Sequence, residues 1–288
     1  MRLDRLLTLG VVHPLRRASS LLPARDPGRA AGRRPLPILM YHSVSEDPEA
    51  GVGAYYRTAV TPRRFAEHMA SLRRQGWRAV GLRQGMQAVA ASSPEKLVVL
   101  TFDDGFRDFH SAAAPVLRGH GFGATVFLPT AFIVESGVPH RFRGRDCLAW
   151  PEIRELQRDG IELGSHTARH PQLAALPWPE VESELALSKA EIERQLGAAV
   201  TSFSYPFAFP QADTRFCARF RAALLRAGYA ACVTTRIGCA AAGDDPLRLR
   251  RLPVNEADDP ALFAAKLNGA YDWLAGPQRA YKALQRAF

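Results

Sequence analysis

Residues 98–108 read VVLTFDDGFRD, and the fold is decided by how that stretch is read. Val98, Val99 and Leu100 make an apolar run suited to a strand buried on both faces, and Gly105 marks the turn that ends it. Asp103 and Asp104 therefore stand side by side at a strand terminus. Two adjacent carboxylates in such a place repel each other and lose hydration, so they need a compensating charge. A bound cation is one such charge, and it requires further ligands elsewhere in the chain.

Strand and helix patterns alternate outward from this stretch. PILMYHSV (37–44), WRAV (77–80), LVVLTF (97–102), GATVFLP (123–129), IELGSH (161–166), VTSFSYP (200–206), YAACVTT (229–235) and LRLRRLPV (247–254) read as strands. Thr61-Pro62 is an N-cap followed by proline at the first helical position and opens a helix through about Gln75. Further helical patterns lie near 81–91, 107–119, 150–159, 180–196, 213–227 and 259–268. Strand then helix, repeated over 288 residues, predicts an α/β fold with a mostly parallel sheet, closed into a single-domain barrel. Active sites of parallel barrels sit at the C-terminal ends of the strands. TFDDG, GSH, SYP and YHS all lie there.

ELGSHTARHPQL supplies His166 and His170. On a helical turn, a spacing of four places both imidazoles on one face, suited to chelating one ion. Two imidazoles and one carboxylate leave coordination positions open for water, as catalytic sites require. One aspartate then serves as a ligand and its neighbour as the base that takes the proton of the attacking water. A glycosidase is disfavoured, because such enzymes hold their carboxylates about 5–10 Å apart across the bond.

TFDDG and SHTARHPQL, with LMYHSV before them and FSYPF after, resemble the NodB-type polysaccharide deacetylases, carbohydrate esterase family four. The resemblance spans residues 37–256 and implies a distorted (β/α)7-type barrel. It implies a hydrolase of carbon–nitrogen bonds that removes acetyl groups from sugars with a divalent metal. Asp103 would be the general base, and Asp104, His166 and His170 the ligands. Zinc suits such a donor set, and Co2+, Ni2+ or Fe2+ fit it as well.

This chain departs from the family pattern in two places. The third motif reads Ser204, Tyr205, Pro206, Phe207, Ala208, without its leading arginine, and Phe207 stands for the tyrosine whose backbone N–H helps to hold the oxyanion. A backbone donor needs no tyrosine hydroxyl, so Tyr205, Pro206 and Phe207 remain the oxyanion and substrate segment. Arg251 either replaces the missing arginine or is a surface residue. No histidine follows His170, so the general acid of the family has to come from elsewhere. His42 takes that role in the reading preferred here, and a satisfied core histidine is the alternative. The remaining histidines, His13, His68, His110, His120 and His140, read as surface groups. The long segment 135–150, with three arginines, either shapes the cleft or is a solvated insertion. Trp150 reads as helix packing.

A composition of 47% hydrophobic and 23% charged residues is that of an ordinary globular chain. Cys147, Cys217, Cys232 and Cys239 have no metal-type spacing and read as buried thiols. Of the formal charge of +10, residues 1–34 hold eight arginines against Asp4 and Asp26, which leaves no nucleic-acid stripe on the remainder. This organisation predicts a basic arm and linker at 1–35, a catalytic domain at 36–270 and a tail helix at 271–288. Leu3, Leu6, Leu7, Val11 and Leu15 fall at near-helical spacing among the arginines. Membrane contact through residues 1–22, a disordered arm and an export signal are the three readings of that segment. The first places the protein in the cytoplasm, peripheral to the inner membrane, and the last in the periplasm. An N-acetylated glycan of the cell envelope is the expected substrate. A related amidohydrolase on a non-sugar amide and a non-catalytic glycan-binding protein are the alternatives.

Overall fold

The computed structural model describes residues 2–15 and 35–284. Eight parallel strands form the sheet: β1 (Ile38–Tyr41), β2 (Arg78–Val80), β3 (Leu97–Phe102), β4 (Thr125–Leu128), β5 (Glu162–Ser165), β6 (Ser202–Ser204), β7 (Ala231–Ile237) and β8 (Leu249–Pro253). Seven of them close a ring in the order β1-β3-β4-β5-β6-β7-β8, with β1 paired to both β3 and β8. β2 lies outside that ring. It pairs with the first half of β3, Arg78 opposite Leu97 through Val80 opposite Val99, while β4 takes the second half at Thr101 and Phe102. That shared edge, and a register shift between Val233 and Ile237, are what distort the barrel.

Period-two alternation sorts the side chains of β3. Val98, Leu100 and Phe102 join the large apolar cluster beneath the surrounding helices. Val99 joins Ile38, Phe127, Val233 and Leu249 in a second cluster that plugs the barrel. Thr101 and Asp103 continue the inward side above that plug. Gly164 on β5 makes room for it, since a Cβ there would lie 2.6 Å from the Phe127 ring.

The helices follow the sequence pattern closely. Thr61 caps the helix Pro62–Arg74 by accepting from the Arg64 amide at 3.1 Å, and Asp213 and Asp259 cap Thr214–Arg226 and Pro260–Leu267 in the same way. PILMYHSV is not one continuous strand: the ladder breaks at His42, after which Ser43–Val44 pairs with Ala59–Val60. The long segment 135–150 carries a small hairpin, Arg141–Phe142 against Arg145–Asp146. The tail helix, Ala275–Leu284, rests on β7, where Gln278 Nε2 donates to Thr235 O at 2.8 Å.

One surface assignment changes, and the open reading of Arg251 turns against the surface. His68 is buried on the inner face of its helix, stacked on Phe263, with its ring nitrogens 3.2 Å from Tyr41 Oη and 2.8 Å from Asp258 O. Arg251 is buried inside the barrel. All four cysteines are buried and unbridged. Residues 3–15 form a short helix docked on the barrel wall. Of the basic arm and linker expected at 1–35, residues 16–34 lie outside the described residues. No helix among the described residues is long and apolar enough to cross a membrane.

Candidate active site

Asp103 extends the inward side of β3 past the strand end, and its amide donates to Tyr41 O of β1 at 3.0 Å. The chain then turns sharply through Asp104 (φ 70°) and Gly105 (φ 59°). The left-handed conformation costs an aspartate little and a glycine nothing. It also redirects the Asp104 carboxylate toward β5.

There His166 follows the strand, and its Nδ1–H donates to Ser204 O at 2.7 Å. That bond fixes the tautomer and leaves the Nε2 lone pair pointing at Asp104. His170 does not reach the site on a helical turn. Thr167 (φ 67°) and His170 (φ 56°) are both left-handed, and residues 167–170 form a loop. Glu184, buried on the helix Trp178–Leu196, holds that loop by accepting from the amides of Ala168 (2.8 Å) and Arg169 (2.9 Å) and from Arg169 Nε (2.7 Å). A tertiary anchor, not the i,i+4 spacing, brings the two imidazoles together.

The three groups meet closely. Asp104 Oδ1 lies 3.4 Å from His166 Nε2 and 3.3 Å from His170 Nε2, and all three residues are buried. Donors placed tetrahedrally about 2.0–2.1 Å from one ion are roughly 3.4 Å apart. Asp104 Oδ1 has no hydrogen-bond partner of its own, although it is shut away from solvent. A buried carboxylate oxygen without a donor is costly, and a divalent cation at the centre of the trio would satisfy it. The residues present fit a metal ion. Burial pushes the Asp104 carboxyl up, but the two imidazoles outweigh it and leave it well below the ordinary carboxylate range.

Asp103 faces a different partner. Arg251, from β8, reaches across the barrel with Nη1 and Nη2 each 2.8 Å from one carboxylate oxygen. Its other bonds go to Thr234 O (3.0 Å), Thr101 Oγ1 (3.2 Å) and Ser204 Oγ (3.1 Å). All five N–H donors of the guanidinium are thereby used. Burial raises the Asp103 carboxyl, and Arg251 more than reverses this, holding it at about 2. Oδ1 also accepts from Ser204 Oγ at 3.0 Å, so Oδ2 keeps more free acceptor capacity. His42 Nε2 stands 4.0 Å from that oxygen. Burial lowers the His42 pKa against the pull of Asp104 and Asp103, so the resting imidazole is neutral at pH 7.

Of the segment 205–207, Tyr205 does not face the cleft. Its ring packs edge-on against Phe209 and Phe220 in the core, and its amide donates to Val233 O at 3.0 Å. Pro206 has no N–H. Phe207 (φ 58°) is half exposed, with its ring 4.7 Å from that of His170. The hairpin of segment 135–150 closes over the same place. The Arg143 guanidinium sits between the Phe142 and Phe207 rings, 5.1 and 5.0 Å from their centroids, and 3.8 Å from Asp104 Oδ2. Ser204, Glu184 and Arg143 are the contributors that motif reasoning missed.

Comparison with known proteins bears on this geometry. The family model for polysaccharide deacetylases matches residues 90–230. A Bacillus subtilis protein named "Putative polysaccharide deacetylase YxkH" is 30% identical over 232 residues, 80% of this chain and 75% of its own. The chain belongs to the polysaccharide deacetylase family. This deacetylase-family chain is thus a hydrolase of non-peptide carbon–nitrogen bonds, and the non-catalytic alternative falls away. A solved structure, the Streptococcus pyogenes deacetylase PplD in complex with acetate, superposes with a TM-score of 0.69 at 25% identity over 81% of this chain and 98% of that one. The Escherichia coli poly-β-1,6-N-acetyl-D-glucosamine N-deacetylase is 28% identical over 164 residues, which cover 52% of this chain and 24% of that protein.

Proposed function

We propose that the protein is a divalent-metal-dependent N-deacetylase acting on the amino sugars of an N-acetylated polysaccharide or lipid-linked glycan. One observation carries this reading: the Asp104–His166–His170 donors converge in a buried cluster beside the Arg251-clamped Asp103. The E. coli relative named for N-deacetylation and the acetate in the S. pyogenes structure support the choice of acetyl group.

A divalent ion held by Asp104, His166 and His170 would supply Lewis acidity toward the acetyl carbonyl and the attacking water. Asp103 takes the proton that this water loses as it attacks. A carboxylate held at about 2 does not retain a proton at neutral pH, and His42, 4.0 Å away, is the group placed to receive it. The tetrahedral oxyanion faces the Phe207 amide, the donor left once Tyr205 and Pro206 are set aside. His42 then protonates the departing amine, the C–N bond breaks, and acetate and the free amino sugar remain.

The test is acetate release from a panel of N-acetylated glycans and lipid-linked sugars, with metal-loaded and chelator-treated protein. Release by the loaded form alone is expected. Acetate from no glycan, together with turnover of a cyclic ureide, would move the reaction to the non-sugar amidohydrolase class.

A further inference from the structure

The docked N-terminal helix is amphipathic in the inverted sense. Arg2, Asp4 and Thr8 face the barrel, whereas Leu3, Leu6, Leu7, Val11 and Leu15 face solvent with Gly10 and Pro14 between them. Leu3 is 68% exposed, Val11 49% and Leu15 64%. Scattered exposed leucines need no explanation, but a continuous apolar stripe does.

The inner face is polar because of what lies beneath it. Asp258 and Lys266 form a buried pair at 2.7 Å, and Arg2 approaches Asp258 at 3.6 Å. Arg2 also bonds Asp4, at 2.6 Å, and Tyr271 Oη, at 3.2 Å. Trp273 Nε1 donates to Thr8 Oγ1 at 3.0 Å, and Arg5 pairs with Asp259 at 2.5 Å. These contacts fix which side of the helix is outward, so the apolar stripe is held to solvent by the fold. The helix begins at the catalytic rim: Arg2 lies over the Tyr55 ring and near Asn255, two residues beyond β8. Next to Tyr55, Tyr56 is 67% exposed, its ring 5.0 Å from that of Tyr55.

We propose that this face docks on an anionic lipid bilayer, resting the catalytic rim on the membrane surface. Charge complementarity selects the occupant. Arg2 and Arg5 are engaged with aspartates, but the sequence that follows the helix, residues 16–34, carries six arginines against one aspartate. An apolar helical face followed by a polybasic segment supplies the two signals that stable interfacial binding requires. The inference goes beyond the deacetylase reading and its test needs no turnover.

The experiment is sedimentation of the full chain with phosphatidylcholine vesicles, with and without phosphatidylglycerol. Binding to the anionic vesicles, weakened by salt, is expected. The variant Leu3→Ser/Leu7→Ser/Val11→Ser should lose about tenfold or more in vesicle partition while keeping the helix seated on the barrel, because the bonds that seat it come from Arg2, Arg5 and Thr8. If the wild-type chain stays in the supernatant, or the variant sediments equally well, the proposal is wrong. Light scattering that finds a wild-type dimer converted to monomer by the same variant would give the face to a second copy of the chain and overturn it too.

Discussion

Replacing Arg251 by methionine removes the guanidinium and keeps most of its volume, so the perturbation falls on Asp103. In the native protein that carboxyl sits at about 2 instead of its ordinary 3.8. Nearly two pKa units correspond to about 2–3 kcal/mol of stability. For a depressed carboxylate this contribution is present above pH 3.8 and is lost as pH falls through about 2. Without Arg251 the strongest charge opposing the burial of Asp103 is gone, and burial drives its pKa upward. The sign then reverses: the charged group destabilises the fold at neutral pH, and the penalty fades as pH drops and the carboxyl protonates.

Breaking a buried ion pair by removing one partner costs about 3–5 kcal/mol, and that is the loss expected for Arg251→Met at pH 7. Urea denaturation between pH 7 and pH 4 measures it. The variant should gain stability relative to wild type as pH falls over that range. Adding Asp103→Asn should recover much of the deficit, since no buried charge is then left alone. A loss under about 1 kcal/mol at pH 7, or a double variant no more stable than the single one, would refute the reasoning.

Three further outcomes bear on the site. His166→Ala and Asp104→Ala should each abolish bound metal, read by elemental analysis, together with activity; full stoichiometry in both would remove the assignment. Asp103→Asn should retain metal while losing about 10²–10⁴-fold in rate, the usual worth of a general base, and loss of metal equal to that in Asp104→Asn would exchange the two roles. His42→Ala should lower turnover of N-acetyl substrates far more than that of an aryl acetate, whose leaving group needs no proton; equal losses would make His42 structural.

The sequence carried the strands and helices because their signals are local. The alternation in LVVLTF, the Thr61-Pro62 cap and the 3.6-residue stripes each depend on neighbours a few positions away. What was misread depends on distant contacts. His68 is the exception: it reads as a surface group, although Phe65, Met69 and Leu72 on its own helix mark its position as part of the buried stripe. The His166–His170 spacing suggests a helical turn, but Glu184 overrides it from fourteen residues beyond His170 and draws the loop through two left-handed residues. Ser204 is an ordinary serine in a strand, and nothing local reveals that its hydroxyl meets Asp103 while its carbonyl orients His166.

The absent motif arginine marks where motif reading and structure part company. A parallel barrel has one interior, and every strand sends alternate side chains into it. A guanidinium that must reach Asp103 can therefore start from β8 as well as from the strand that carries SYP. LRLRRLPV offers three arginines, and alternation sorts them. Arg251 shares the inward side with Leu249, which is in the barrel plug, while Arg250 turns outward to Asp244 at 3.1 Å. A charge buried that deeply persists only against an opposite one, and the only carboxylate oxygens that bond Arg251 among the described residues are those of Asp103. The bond to Asp103 is made although the third motif opens on a serine, and that serine joins the pair by bonding both partners.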